Sequence, residues 1–187
     1  MGTKADLRKS LKSRLASISD QDYLELSLKV SMHLKHLLND LHVIQQHLVF
    51  GVFAPIEKEP KWFLDMEEDL ETLTAYPAYA SDEMIFRLAQ RTELEIAQDF
   101  GVGILGPKTS AKAVAPKIVI VPGLGFSADG ARLGRGKGFY DRYLEGRDVI
   151  KIGIGFEMQI EQDIPTDPHD VKMDFVVTDH RILKINR

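Results

Sequence analysis

The sequence predicts an α/β protein, a three-layer α/β/α sandwich with a mostly parallel sheet and a Rossmann-like topology. Short β-branched runs alternate with amphipathic helical segments, as in folds built from strands joined by helices. The clearest run, IVIV at 118–121, is continuously apolar, which is typical of a parallel strand covered on both faces. Ligands in such folds bind at the carboxyl ends of strands, so a site is expected after Val121.

Each element is predicted from its own local pattern. Leucines at helical spacing predict an amphipathic helix over residues 4–18. Ser19, with Asp22 three places on, resembles a capping box that opens a second helix. Pro60 suits the first turn of a third helix, and residues 139–145 also have a helical pattern. Strands are predicted over 47–53, 73–79, 84–88, 118–121, 150–156 and 175–178.

The composition indicates one domain, residues 1–187. With 44% hydrophobic residues, the chain can build a genuine core, whereas two half-length domains would each be marginal. The absence of cysteine excludes disulfides, thiolate metal sites and cysteine nucleophiles. A polar N-terminus and the lack of an apolar run of about 18 residues predict a cytoplasmic protein with no membrane partner. No obvious association seam is present, so a monomer is expected.

Positive charge is concentrated in one short segment. The net charge of −4 argues against a nucleic-acid partner. Between residues 132 and 142, however, a single acid, Asp141, stands among four cations: Arg132, Arg135, Lys137 and Arg142. A cationic loop on an acidic protein favours a small polyanionic ligand such as a nucleotide.

The same segment contains three alternating glycines, Gly134, Gly136 and Gly138. Glycine lets backbone N–H groups approach a phosphate closely, and Asp141 is placed to hold Mg²⁺. The spacing matches neither a Walker A loop nor the dinucleotide-binding fingerprint. From these residues alone, a flexible turn with solvated charges stays an alternative.

A longer stretch, RLGRGKGFYDRYL at 132–144 after VPGLGF at 121–126, resembles the signature of the 5-formyltetrahydrofolate cyclo-ligase family. Further positions resemble the family pattern in consistent order: 4–8, 51–59, 153–156, 159, 165, 170, 174 and 178. The resemblance implies an ATP-dependent enzyme that converts 5-formyltetrahydrofolate to 5,10-methenyltetrahydrofolate. It implies ATP and the folate as small-molecule partners and Mg²⁺ as cofactor.

The resemblance also implies an ATP site. Lys4 and Arg8 would contact ATP, although these residues would also suit an ordinary solvated helix face. The segment between 135 and 139 would approach the folate as well as the nucleotide. The ATP-binding segment consists of Arg132, Leu133, Gly134, Arg135, Gly136, Lys137, Gly138, Phe139 and Tyr140.

Two carboxylates, Asp141 and Asp170, match the magnesium positions of the family. Asp170 also suits a turn beside Pro168, which is the alternative from the local sequence. The six histidines show no convincing ligand spacing and are expected to be structural or exposed.

Glu59 resembles the folate-contacting acid, and Ala54 would line the same pocket. Glu57 is a near neighbour, and either glutamate could instead be an acid at a helix N-terminus before Pro60.

The implied reaction transfers the γ-phosphoryl group of ATP to the formyl oxygen, after which N10 closes the ring and phosphate leaves. The expected catalytic residues are Arg135 and Lys137, which neutralise the transferring group, and Glu59, which holds the folate. A nucleotide-binding relative without catalysis is the alternative. It is kept open by three departures from the family pattern, Phe53, Gly106 and Phe139.

Overall fold

The computed structural model describes residues 3–43, 46–66, 70, 72–80, 83–97 and 104–186. The helices described from end to end are α1 (Lys4–Ala16), α2 (Asp20–Asp40) and α3 (Phe139–Leu144). Short 3-10 helices span Arg91–Glu93 and Glu157–Gln159.

The strands are mostly short. They are β1 (Phe50–Gly51), β2 (Thr74–Ala80), β3 (Glu83–Leu88), β4 (Glu95–Ile96), β5 (Leu105–Gly106), β6 (Ala113–Val114), β7 (Ile118–Pro122), β8 (Gly125–Ser127), β9 (Arg132–Leu133), β10 (Ile150–Ile154), β11 (Ile160–Glu161), β12 (Phe175–Val177) and β13 (Ile182–Lys184).

Within the described residues, the main sheet has eight strands in the order β13-β12-β10-β7-β1-β2-β3-β6. The five inner strands, from β12 to β2, pair in parallel. The edges add antiparallel partners, β13 on one side and β3 with β6 on the other. The protein therefore has a mixed α/β fold with a large, mostly parallel sheet and few helices.

Strand β7 is buried on both faces, as its continuous apolar sequence predicts. Ile118 and Ile120 pack into a core that contains the buried leucines of α1 and α2. Val119 and Val121 point to the opposite face and pack with Tyr140 and Tyr143 of α3. The two faces of β7 thus belong to two separate apolar clusters.

The helix starts follow from local capping. Ser19 accepts a hydrogen bond from the backbone N–H of Asp22, which confirms the predicted start of α2. Helix α1 begins with a capping box between Thr3 and Asp6, which the sequence reasoning overlooked.

The predicted helix after Pro60 is wrong over residues 62–65, which form turns. Leu70 is helical, and 67–69 and 71 lie outside the described residues. The hydroxyl of Ser31 donates to the Trp62 carbonyl at 2.6 Å and accepts the Asp65 N–H at 2.8 Å. The Trp62 indole donates to the Phe53 carbonyl at 2.8 Å and is almost fully buried. These bonds to neighbouring elements take the place of helical hydrogen bonds.

The strand predicted over 47–53 is shorter than expected, because only Phe50 and Gly51 pair with neighbouring strands. The Val52 N–H still donates to the Ala75 carbonyl at 2.8 Å, and the next carbonyl, that of Phe53, accepts the Trp62 indole N–H. The antiparallel hairpin β8–β9 lies between β7 and the glycine-rich segment along the chain. The glycine-rich segment therefore follows β9 and not β7. The hairpin returns the chain to the end of β7, and the expected position of the site is kept.

Across the part of the chain that the structure covers, every helix is too short or too polar to cross a bilayer.

Candidate active site

A cavity of about 570 Å³ opens at the carboxyl end of β7. Three segments form its walls: the first turns of α1, the loop after β1, and the glycine-rich segment between β9 and α3. Every residue to which the family resemblance gives a site role lines this one cavity: Lys4, Arg8, Ala54, Glu59, the run from Arg132 to Tyr140, Asp141 and Asp170.

The glycine-rich segment depends on backbone conformations that other residues rarely adopt. Gly136 has φ +105° and Gly138 has φ +68°, both in the left-handed region. A Cβ at position 138 would also lie 2.9 Å from a terminal nitrogen of Arg142. The segment is anchored to α1, because Arg8 Nε donates to the Gly134 carbonyl at 2.9 Å. Arg8 therefore shapes the loop in addition to lining the cavity.

Arg132, which is buried, and Asp141, which is partly buried, form an ion pair beneath the loop. Arg132 Nη2 donates to Asp141 Oδ2 at 2.7 Å, and the side chains are only 5% and 13% exposed. Arg132 Nη1 donates to the Pro122 carbonyl at 3.1 Å, which ties α3 to the end of β7. The second oxygen of Asp141 accepts the Val171 N–H at 3.4 Å. Both side chains thus have structural partners within the wall of the cavity.

Arg135 spans the cavity and meets two acids. Its Nε donates to Glu59 Oε1 at 3.1 Å, and its Nη1 donates to Glu57 Oε2 at 3.0 Å. Glu59 is buried and lines the cavity, whereas Glu57 is exposed and does not line it. The geometry favours Glu59 over Glu57 as the acid that faces a ligand. Since residues 61–66 are not helical, neither glutamate is a helix N-terminal acid there.

Burial raises the pKa of Glu59, and the opposing charge of Arg135 does not fully offset it. A carboxyl whose pKa is raised in the folded state contributes stability below its unfolded pKa, and this contribution is lost as pH rises through the folded pKa. We therefore expect the unfolding free energy of the protein to fall, relative to Glu59→Gln, as pH rises above the ordinary value of 4.5. Denaturant titrations of the wild type and of Glu59→Gln between acid and neutral pH measure the two unfolding free energies. A difference between them that stays constant over that pH range would contradict the expectation.

Lys4 lies against two carboxylates at the other end of the cavity. Its Nζ is 2.6 Å from Asp167 Oδ2 and 2.6 Å from Asp170 Oδ2. Burial raises the pKa of Asp170, but hydrogen bonds from Lys4 and the Asp167 backbone outweigh it, and the net shift is downward. Asp170 is also a turn residue, because it accepts the Asp167 N–H at 2.7 Å.

His169 is exposed, as the sequence predicts for the histidines, and it lies beside these two carboxylates. Ligand atoms of Asp167, His169 and Asp170 all lie within 4.8 Å of one another. Two carboxylates that hold an ammonium group between them fit a hard cation, since Mg²⁺ binds one or two carboxylates together with phosphate oxygens. Asp141 is outside this group but contacts the residue after Asp170 through the Val171 N–H.

The sequence model described as the 5-formyltetrahydrofolate cyclo-ligase family matches residues 1–179. The chain belongs to this family. Two relatives named 5-formyltetrahydrofolate cyclo-ligase, from Mus musculus and Mycoplasma pneumoniae, are each 27% identical to it. The alignments cover 93% of this chain and 92% of the mouse protein, and 94% and 98% for the Mycoplasma protein.

Solved structures agree with the fold. A 5,10-methenyltetrahydrofolate synthetase from Mycoplasma pneumoniae superposes with a TM-score of 0.73 at 26% identity, covering 94% of this chain and 98% of that one. The synthetase of the same name from Aquifex aeolicus superposes with a TM-score of 0.81 at 24% identity, covering 98% and 93%. The family assignment therefore rests on nearly the whole chain and not on the glycine-rich segment alone.

In this cyclo-ligase family member, Lys137 is exposed at the glycine-rich segment. Among the residues that the structure describes, its ammonium group has no hydrogen-bond or ion-pair partner, unlike the side chains of Arg132 and Arg135. Phe139 packs its ring 5.0 Å from the ring of Tyr79, and both line the cavity. Phe139 thus contributes an aromatic ring to the wall of the cavity.

Tyr140 is buried beside this surface, and within the described residues its hydroxyl has no hydrogen-bond partner. A buried hydroxyl without a partner destabilises the folded state, so Tyr140→Phe should leave the melting temperature unchanged or raise it. The matched control is Tyr23→Phe, because the Tyr23 hydroxyl is bonded to the Glu59 carbonyl at 2.8 Å. That control should lose about 0.5–1.5 kcal/mol. Equal losses in the two variants, measured by thermal denaturation, would argue against an unpartnered Tyr140.

Several cavity residues were overlooked by sequence reasoning: Lys12, Ile56, Pro77, Tyr79, Asp167 and His169. Lys12 follows Arg8 by one helical turn, so the helical period could have revealed it. Pro77 and Tyr79 lie in β2 with no local chemical signal. They reach the cavity only because β2 pairs with β1.

Proposed function

We propose that this chain is an ATP- and Mg²⁺-dependent 5-formyltetrahydrofolate cyclo-ligase that produces 5,10-methenyltetrahydrofolate, ADP and phosphate. The observation that carries the proposal is the position of the Arg135 side chain. It begins in the cationic glycine-rich segment and ends on the buried Glu59, so one cavity joins a surface suited to phosphates with a surface suited to the folate.

The phosphate side is formed by the segment from Gly134 to Gly138. Its glycines let backbone N–H groups approach the nucleotide phosphates, and Lys137 adds a cation without a competing partner among the described residues. Lys4 and Arg8 complete this side from α1. In the proposed reaction the γ-phosphoryl group passes to the formyl oxygen, and Lys137 neutralises the charge that develops during the transfer.

The folate side is formed by Ala54, Glu59, Tyr79 and Phe139. The aromatic rings offer an apolar surface for the pterin, and Glu59 offers a buried carboxyl group for hydrogen bonds to it. Holding N10 against the formyl carbon lets it attack once the oxygen carries the phosphoryl group, and phosphate then leaves as the ring closes. The protein contributes mainly positioning and charge stabilisation.

Asp170 with Asp167, and Asp141 beside them, would hold Mg²⁺. When bound, the ion would neutralise phosphate charge. Lys4, which now lies between Asp167 and Asp170, would be freed to contact the nucleotide.

Mixing the protein with 5-formyltetrahydrofolate and Mg-ATP, and following the absorbance of the methenyl product, tests the proposal. We expect product only when ATP is present. Nucleotide binding without product would instead favour a non-catalytic relative of the family, the alternative that Phe53, Gly106 and Phe139 leave open.

The finer structural and cellular expectations are part of the proposal. We propose a three-layer sandwich with Rossmann-like topology in a single domain over residues 1–187, supported by the apolar clusters on both faces of the sheet. A monomer in the cytoplasm, acting on ATP and the folate without nucleic-acid or membrane partners, is expected. Sedimentation would test the expectation of a monomer, and cell fractionation would test the cytoplasmic location.

A further inference from the structure

The two acids that share Arg135 differ in almost every physical respect. Glu59 is buried in the main cavity, and its second oxygen accepts the Ile56 N–H at 3.1 Å. Glu57 is 68% exposed and lines a separate, adjoining cavity of about 610 Å³. Its backbone has φ +51°, a left-handed conformation that is strained for a residue other than glycine. One turn thus directs both carboxylates to a single guanidinium from opposite sides.

The guanidinium of Arg135, beside the glycine-rich segment, is already bonded to two carboxylates before any anion binds there. Nε is bonded to Glu59 and Nη1 is bonded to Glu57, so two negative charges surround one positive charge. For Arg135 to turn toward a phosphate, one of these bonds must open. Exposed ion pairs are worth little, whereas breaking a buried pair leaves an uncompensated charge and is several times more costly. The bond to Glu57 is therefore the one that opens.

We infer that Glu57 is a positioning residue that competes with the nucleotide phosphates for Arg135 and thereby weakens nucleotide binding. This inference rests on the proposed function. Glu57 holds the outer edge of the guanidinium until phosphate replaces it, while Glu59 keeps the inner edge. Arg135 then connects the folate side to the phosphate side only when nucleotide is bound.

Glu57→Gln keeps the size of the side chain and removes the charge. Titration calorimetry with Mg²⁺ and the β,γ-imido analogue of ATP should give a Kd about two- to fivefold lower than in the wild type, which is the value of one exposed ion pair. The KM for ATP should fall in the same direction, with kcat little changed, a split that a general loss of structure would not produce.

Two controls separate competition for Arg135 from a general effect of charge. Asp20→Asn removes another exposed acid of the adjoining cavity, one that is paired with Lys58 instead, and should leave the Kd unchanged. In an Arg135→Met background, Glu57→Gln should have no further effect.

Three results would overturn the inference. They are a Kd for Glu57→Gln equal to or above that of the wild type, a lower Kd that persists in the Arg135→Met background, and an equal gain in Asp20→Asn. Failure of the wild type to bind the nucleotide at all would overturn the proposed function together with the inference. Normal turnover with an unchanged Kd in Glu57→Gln would remove the inference alone.

Discussion

Replacing Lys137 with alanine should lower turnover of 5-formyltetrahydrofolate by about tenfold or more, in line with the loss of one charged donor from a phosphoryl-transfer site. The reason is that Lys137 lines the cavity and, among the described residues, its ammonium group has no competing partner. The neighbouring Arg132 and Arg135 already hold carboxylates. Lys137 is thus the cation of the segment whose charge is available to the transferring group without the breaking of an existing bond.

Steady-state kinetics with saturating folate and Mg-ATP would measure this effect. Lys9→Ala is the matched control, because Lys9 is also exposed but lies outside the cavity. Since Lys137 is exposed, its loss should leave the melting temperature nearly unchanged. Turnover equal to that of the control would exclude Lys137 from the reaction and leave charge neutralisation to Arg135.

The glycine-rich segment could be predicted because its signal is local. Gly136 and Gly138 occupy left-handed conformations, which the sequence indicates by residue type alone. The parallel core strand at 118–121 was predicted for a similar reason, since its unbroken apolar run requires burial on both faces. Local composition determined both features.

The roles of the charged residues could not be predicted in this way. Whether Arg132 is free or paired depends on Asp141 nine residues later and on the end of β7, and no spacing rule links them. The choice between Glu57 and Glu59 depends on which side of one turn is buried. The predicted helix after Pro60 is absent over residues 62–65 for the same reason, because Ser31 in α2 bonds to residues 62 and 65 across the fold.

Arg132→Met should be the most destabilising of these changes, by about 3 kcal/mol, because it leaves the largely buried carboxylate of Asp141 without its partner. For a domain of this size each kcal/mol shifts the melting temperature by about 2–4 °C, so the fall should be easily measured by thermal denaturation. Lys172→Met is the matched control. It breaks an exposed pair with Asp129 and should cost less than about 1 kcal/mol.

The double variant Arg132→Met with Asp141→Asn separates the two roles that Asp141 carries. Replacing both partners removes the unpaired buried charge, so part of the lost stability should return. If Asp141 also helps to hold Mg²⁺, as the family resemblance implies, turnover should stay low in the double variant and Mg²⁺ should be needed at higher concentration. Recovery of both stability and turnover would make Asp141 a structural partner of Arg132 and leave the ion to Asp167 and Asp170, whose carboxylates already converge on Lys4.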